Sequence, residues 1–143
     1  MLRVLVPIDG SENALRALRF AVERLRRLDL EGFELFLLNV QPAIATGDVR
    51  LFVSEEKIRQ YYQEEGEMAL VSAKTMLNDQ HLPFTAHVYA GHVAESIAAF
   101  AKERHCHLIV IGTRGLGTVM NLIMGSVTTK VIQLTELPVV LVK

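Results

Sequence analysis

Residues 108–130 read LIVIGTRGLGTVMNLIMGSVTTK, and this stretch carries the strongest structural signals in the chain. Its first four residues are wholly apolar, as in a parallel strand that is buried on both faces. Glycines follow at positions 112, 115, 117 and 125, and glycine lets a backbone turn sharply or approach a ligand closely. Gly125 and Ser126 then open a predicted helix over residues 126–135, and the free amides and positive dipole end of a helix favour an anion. The stretch therefore predicts a strand, a glycine-rich segment and a helix that together can hold a phosphate group.

The same alternation of strand and helix extends over the rest of the chain. Short apolar runs predict strands, and apolar residues spaced by three and four predict helices, the first with Ser11 as its N-cap. In the last helix we expect Val127, Val131 and Leu134 to face inward, and we expect Gly66 to weaken the second helix slightly. This order predicts a parallel sheet with helices on both faces and right-handed crossovers. The predicted strands cover residues 2–8, 33–40, 84–89, 108–111 and 138–142; the predicted helices follow Ser11 and cover 54–78, 92–104 and 126–135, with a loop over 41–53.

The composition is that of one globular domain over residues 1–143. Half of the residues are hydrophobic and 22% are charged, and a chain of this length can bury a substantial core without disulfides or metals. The formal net charge is -1, so there is no basic field to attract nucleic acid. No apolar stretch is long enough to span a membrane, and the single cysteine, Cys106, suits a reducing compartment. We therefore expect a cytoplasmic protein with neither a nucleic-acid nor a membrane partner.

A second segment is expected to meet the glycine-rich one. Asp9 follows the first strand, and open α/β sheets bind ligands where the carboxyl ends of neighbouring strands form a crevice. Asp9 would face that crevice if strands one and four are neighbours, and this position favours a site over the alternative, in which Asp9-Gly10-Ser11 forms only a turn or a helix cap. Further donors for a phosphate are available on Arg114, Ser126, Thr128 and Thr129.

The best-known nucleotide and nucleophile motifs are missing. A Walker A loop requires GxxxxGK[ST], but no glycine in this chain precedes a lysine. The dinucleotide fingerprint also fails, because Met120 stands where its third glycine belongs and the segment follows the fourth strand. No GxSxG nucleophile elbow occurs. A P-loop enzyme, an NAD enzyme and a serine hydrolase are therefore disfavoured.

The run His105-Cys106-His107 is the one local pattern that suggests a metal site. A structural zinc site normally has four ligands, and no second cysteine or paired histidine motif accompanies this run. The simpler interpretation is the entrance to the fourth strand. The remaining histidines are expected to be solvated: they are His81, His87 and His92.

The spacing Gly112-x2-Gly115-x9-Gly125-Ser126 resembles the nucleotide-binding signature of the universal stress proteins. Three further stretches are similar to that family: VLVPIDGSENA at residues 4–14, LIVIGTRG at 108–115 and LPVVLVK at 137–143. The resemblance therefore spans essentially the whole chain and points to the subgroup that binds ATP. Two positions depart from the family's pattern, because His107 stands where Asp is common and Val93 where Pro is common.

The resemblance implies a single doubly wound α/β domain, similar to the adenine nucleotide alpha hydrolases, with a five-stranded parallel sheet in the order 3-2-1-4-5. It implies ATP, or ADP or AMP, in the crevice between strands one and four. It also implies a homodimer formed through the last strand, which begins at Pro138 and ends at Val142, so we expect Val140→Lys to weaken association. The positions that match the family's nucleotide contacts are Pro7, Asp9, Val40, Gly112, Arg114, Gly115, Gly125, Ser126, Val127 and Thr128.

The expected function is that of a nucleotide-dependent stress-response or signalling module with at most slow hydrolysis, in which Asp9 could hold Mg²⁺. The alternative is a Mg-dependent ATPase or nucleotide hydrolase that uses Asp9. A phosphoacceptor receiver or a flavodoxin-like carrier would use a similar sheet. A receiver needs an acid after strand three, where this chain has Tyr89-Ala90-Gly91.

Overall fold

The computed structural model of the chain describes residues 1–28, 32–43, 52–115 and 124–143. Strands and helices alternate through these residues in the order that the sequence predicts. The elements are β1 (Leu2–Pro7), α1 (Glu12–Arg27), β2 (Phe33–Pro42), α2 (Glu55–Asp79), β3 (Thr85–Gly91), α3 (Val93–Glu103), β4 (Leu108–Gly112), α4 (Ser126–Leu134) and β5 (Val139–Val142).

The five strands form one parallel sheet in the order β3-β2-β1-β4-β5, which confirms the predicted fold class. The order reverses between β1 and β4, where Val4 pairs with Leu108. This switch point opens a crevice at the carboxyl ends of the strands. The sheet therefore brings the residues after β1 next to those after β4.

The sheet has a hydrophobic core on each face. Residues at even positions of β1 pack with α1 and α2 on one face, and Leu5 packs with α3 and α4 on the other. This alternation follows from the two-residue period of a strand. Among the described residues, none of the helices combines the length and the apolarity that crossing a bilayer requires.

The second strand is longer than its apolar run. It continues two residues beyond Val40, because Gln41 and Pro42 pair with the last two residues of β3. The predicted loop over residues 41–53 is thus shortened at its start, and residues 44–51 lie outside the described part of the chain. The extension carries the backbone of β2 to the edge of the crevice.

The last helix begins at the predicted residue but differs from its prediction on its inner face. Its N-cap is Gly125, and Ser126 is its first helical residue. Of the three residues expected to face inward, Val131 is buried, but Val127 and Leu134 are 37% and 46% exposed. The buried stripe instead joins Val131 to Thr128, whose hydroxyl donates a hydrogen bond to the carbonyl of Gly112. This bond holds the Thr128 side of the helix against β4 and leaves Val127 and Leu134 exposed.

Candidate functional site

A cavity of about 340 Å³ lies at the carboxyl ends of β1, β2 and β4. Pockets of this size are typical of small-molecule sites. All ten residues that the resemblance singles out line it, from both sides of the switch point. Gly117, also part of the glycine-rich segment, lies outside the described residues. The cavity is lined by these ten, namely Pro7, Asp9, Val40, Gly112, Arg114, Gly115, Gly125, Ser126, Val127 and Thr128, and by Ile8, Ala14, Leu38, Asn39, Gln41, Pro42, Val93, Ile97 and Ile111.

Asp9 takes part in a turn and also faces the cavity. Its Oδ1 accepts a hydrogen bond of 2.9 Å from the backbone N–H of Ser11, and Gly10 supplies the positive φ of 88° that this turn requires. The Oγ of Ser11 accepts from the N–H of Ala14 at 3.1 Å, as predicted for the N-cap of α1. The other carboxylate oxygen of Asp9 lies where a side chain on Gly115 would begin. Asp9 is therefore held in place beside the glycine-rich segment.

The start of the glycine-rich segment is fixed by hydrogen bonds from three different elements. The carbonyl of Gly112 accepts from the Thr128 hydroxyl of α4 at 2.8 Å. The N–H of Thr113 donates to the carbonyl of Val142 in β5 at 2.9 Å, and the carbonyl of Thr113 accepts from the N–H of Gly125. The N–H of Arg114 donates at 2.9 Å to Oδ1 of Asn13 in α1. The backbone of residues 112–114 is thus positioned by the fold itself.

This network changes the roles expected for two hydroxyl groups. The proton of the Thr128 hydroxyl is already donated to Gly112, so toward a ligand that oxygen can act only as an acceptor. The Thr129 hydroxyl donates to the carbonyl of Gly125 inside the first turn of α4, and Thr129 is not part of the cavity lining. Both side chains support the segment from within.

One end of the cavity suits an anion. The first intrahelical bond of α4 runs from Thr129 N–H to Gly125, so the preceding amides of the helix have no partner inside it. Ser126 and Val127 carry two of these amides and line the cavity. The positive end of the helix dipole lies at the same place. Arg114, half-buried in the lining, adds a cation.

The opposite end is mainly apolar, although Asn39 and Gln41 of β2 also belong to the cavity lining. Its walls come from the end of β2 and from the first turns of α3, and such a slot accepts a flat hydrophobic group. Sequence reasoning found only Val40 here; the others are Leu38, Pro42, Val93 and Ile97. What they share is their position in the carboxyl-terminal half of β2 or in the first two turns of α3, the parts of these elements that line the cavity. Val93, one of the two departures from the family pattern, is among these residues.

The histidine and cysteine residues form no alternative site among the described residues, where no group of three or more His, Cys, Asp or Glu side chains is placed to hold a metal. Cys106 lies in the core, and burial raises the pKa of its thiol to about 11. Nδ1 of His107 accepts from the N–H of Arg3 at 2.9 Å, so the run at 105–107 is the entrance to β4 as expected. The prediction that His87 is solvated is wrong. Its ring packs on Phe100, and burial, together with the charge of Arg104, lowers its pKa.

Comparison with known proteins agrees with this arrangement. A family model described as the universal stress protein family matches residues 1–143. A universal stress protein of Methanocaldococcus jannaschii is 30% identical, over 99% of this chain and 81% of its own length. Universal stress protein YxiE of Bacillus subtilis is 31% identical, with 99% and 98% covered. The solved structure of the universal stress protein from Archaeoglobus fulgidus in complex with dAMP is 26% identical with a TM-score of 0.69, covering 100% of this chain and 98% of that one.

Proposed function

Since the chain belongs to the universal stress protein family, we propose that its cavity binds an adenine nucleotide, with ATP as the principal ligand. The protein then acts as a nucleotide-dependent stress-response or signalling module in the cytoplasm. The observation that carries this proposal is the meeting of all ten predicted contact residues around one cavity of about 340 Å³. A solved relative in complex with dAMP supports the same class of ligand.

The two ends of the cavity set the direction of the bound nucleotide. The phosphates lie against the amides of Ser126 and Val127, beside Gly115, because unpaired amides and a helix N-terminus stabilise negative charge. The adenine ring lies in the apolar slot beside Val40 and Val93. A nucleotide is charged at one end and flat and weakly polar at the other, so it matches the cavity in this one direction.

Mg²⁺ fits the site as a companion of the phosphates. This ion is usually held by one or two carboxylates together with substrate phosphates and water, and Asp9 is the carboxylate in the cavity lining. When bound, the ion neutralises phosphate charge. Asp9 and Arg114 are the ionisable side chains of the described lining. If Asp9 holds the metal, no other lining carboxylate is left to activate water, and hydrolysis is at most slow.

Replacing Gly115 tests nucleotide binding directly. A Cβ at this position overlaps the carboxylate of Asp9, so the branched side chain of Gly115→Val fills the approach to the phosphate end. We expect wild-type protein to bind MgATP in isothermal titration calorimetry and Gly115→Val to bind about 100-fold more weakly, since most of the phosphate contacts are lost. Mass spectrometry of nucleotide released from the purified wild type identifies the ligand bound in the cell.

Gly32→Val is the matched control for this titration. A Cβ on Gly32 meets nothing within 4 Å, although the φ of 116° makes the substitution strained. This variant loses some stability but keeps its MgATP affinity. Wild-type protein that neither binds MgATP nor carries a nucleotide contradicts the proposal. Phosphate release separates the alternative: steady turnover that disappears in Asp9→Asn while binding persists would identify a Mg-dependent ATPase.

We further propose that the protein forms a homodimer through β5. This strand lies at the edge of the sheet, and unpaired edges associate readily. Leu141 on β5 is 41% exposed, and it shares its strand face with Val139, which packs on the α3 and α4 side. Further exposed apolar residues follow on that side, on α4: Val127, Ile132 and Leu134. A second copy that pairs with β5 covers both features.

Leu141→Lys tests the dimer better than Val140→Lys. Val140 packs against the core on the α1 side, so a lysine there disturbs folding as well as association. We expect wild-type protein to sediment at about twice its chain mass in analytical ultracentrifugation and Leu141→Lys to sediment as a monomer, since a charge in a closed interface is strongly unfavourable. Leu28→Lys, at the exposed end of α1, is the control and leaves the mass unchanged. A monomeric wild type contradicts the proposal.

A further inference from the structure

Buried polar side chains lie behind the phosphate end of the cavity. Asn13 is 6% exposed and Thr113 is 5% exposed, and neither belongs to the cavity lining. Buried polar atoms are normally hydrogen-bonded. Among the described residues, however, Nδ2 of Asn13 and Oγ1 of Thr113 have no hydrogen-bond partner. The wall behind the glycine-rich segment is therefore polar and only partly satisfied.

Asn13 is in direct contact with that segment. Its Oδ1 accepts the N–H of Arg114 at 2.9 Å and lies so close to Gly112 that a Cβ there would overlap it. The side chain thereby joins the first turn of α1 to the end of β4. With its oxygen engaged in this way, the amide has a buried N–H end that finds no partner in the described part of the chain.

We infer that Asn13 is a positioning residue for the phosphate end of the cavity, holding the backbone of Arg114 in place and contributing the positive end of its amide dipole to the site. This inference rests on the proposed function. An N–H dipole that is buried and unpaired acts in a low local dielectric, where its interaction with a nearby anion is stronger than in water. A neutral amide supplies this interaction at every pH near neutrality.

Asn13→Asp tests the inference through the pH dependence of binding. The protonated acid has nearly the shape of the amide and keeps one acceptor and one donor, whereas the carboxylate is negative and has no donor. Burial raises the pKa of a carboxyl group, so the variant is charged at high pH and neutral at low pH. We expect its Kd for MgATP to exceed the wild-type Kd by about tenfold or more at pH 8 and to approach it at pH 5.

The comparison with wild type at each pH removes the titration of the nucleotide and of neighbouring groups. Both proteins carry the same charged groups on the elements next to Asn13, and strands β4 and β5 contain none. These groups are Asp9 before α1, Glu12 and Arg16 on α1, Arg114 after β4, Lys143 after β5 and Glu65 on α2, one turn before Ala69, which lies beside Gly10.

Thr113→Val is the matched control. It removes a buried polar atom from the same wall without touching the bond to Arg114 and introduces no ionisable group, so the ratio of its Kd to the wild-type Kd is the same at both pH values. The inference is overturned if the Kd of Asn13→Asp for MgATP equals the wild-type Kd at both pH values, or if it is higher by the same factor at both. The proposed function stands in either case. A wild type that does not bind MgATP overturns both.

A second variant covers the case in which Asn13→Asp does not fold at pH 8. Asn13→Ala leaves the N–H of Arg114 without its acceptor. We expect hydrogen exchange of that amide to accelerate by about tenfold or more and the MgATP affinity to fall several-fold. Faster exchange with unchanged affinity overturns the inference, because the bond would then matter to the local structure alone.

Discussion

Gly66→Ala is expected to destabilise the protein by about 2 kcal/mol, although alanine is the better helix former by about 1 kcal/mol. Gly66 lies in the middle of α2 and is buried. A Cβ at this position overlaps one γ-methyl of Val88 in β3 and lies 2.7 Å from the other. Because Val88 is β-branched and its own Cβ is also only 3.0 Å from the added atom, rotating its side chain does not remove the overlap, and we expect the packing cost to exceed the propensity gain. Urea denaturation of the nucleotide-free protein measures the change.

Two further variants separate packing from propensity. Ser72→Ala, on the exposed side of the same helix, has no such contact and should raise stability by about 0.5 kcal/mol. In the double variant Gly66→Ala with Val88→Ala the overlapping methyl groups are gone. We expect the double variant to lose at least about 1 kcal/mol less than the sum of the single changes, which a cycle of the four proteins detects. Additive effects would contradict close packing at Gly66.

The contact between Gly66 and Val88 could not be predicted from the sequence. The glycine was expected only to weaken its helix, because a propensity scale describes one residue and its helix and contains no information about Val88. The order of the elements, by contrast, was predicted correctly from the period of apolar residues. Each apolar run carries its own evidence, whereas a close approach between α2 and β3 depends on two distant segments.

The candidate site divides in the same way. The glycines and the helix start that face the cavity were predicted from their spacing, whereas Pro7 and Val40 were implied only by the family resemblance. Asn13 was not, since it follows an ordinary N-cap and has the appearance of a surface residue in a first helical turn. Its role depends on α1 packing against the end of β4. Ten of the nineteen lining residues were therefore predicted, whereas most of the apolar lining from β2 and α3 and the residues behind the cavity were not.

Of the changes at the site, Gly112→Ala should lower the free energy of unfolding most, by about 2–3 kcal/mol. A Cβ on Gly112 overlaps Oδ1 of Asn13 and lies 3.0 Å from its backbone oxygen. The side chain can rotate away, but the backbone oxygen belongs to the first turn of α1 and cannot. The added methyl group must therefore push α1 from β4, break the bond from Arg114 to Asn13, or both. Urea denaturation measures the loss.

Gly125→Ala is the control, because it adds the same methyl group to another glycine of the segment. A Cβ on Gly125 has only ordinary contacts, at 3.5 Å from the Thr113 oxygen and 3.8 Å from Arg114, and the φ of -73° suits any residue. We expect a loss below about 1 kcal/mol there, the usual cost of a poor N-cap. Because Asn13→Ala has a cost of its own, the effect of Gly112→Ala is compared on the wild-type and Asn13→Ala backgrounds. We expect Gly112→Ala to cost less on the Asn13→Ala background but still to cost stability, because the backbone contact remains. No cost there would mean that the Asn13 side chain alone requires glycine at 112, and an unchanged cost would mean that only the backbone does.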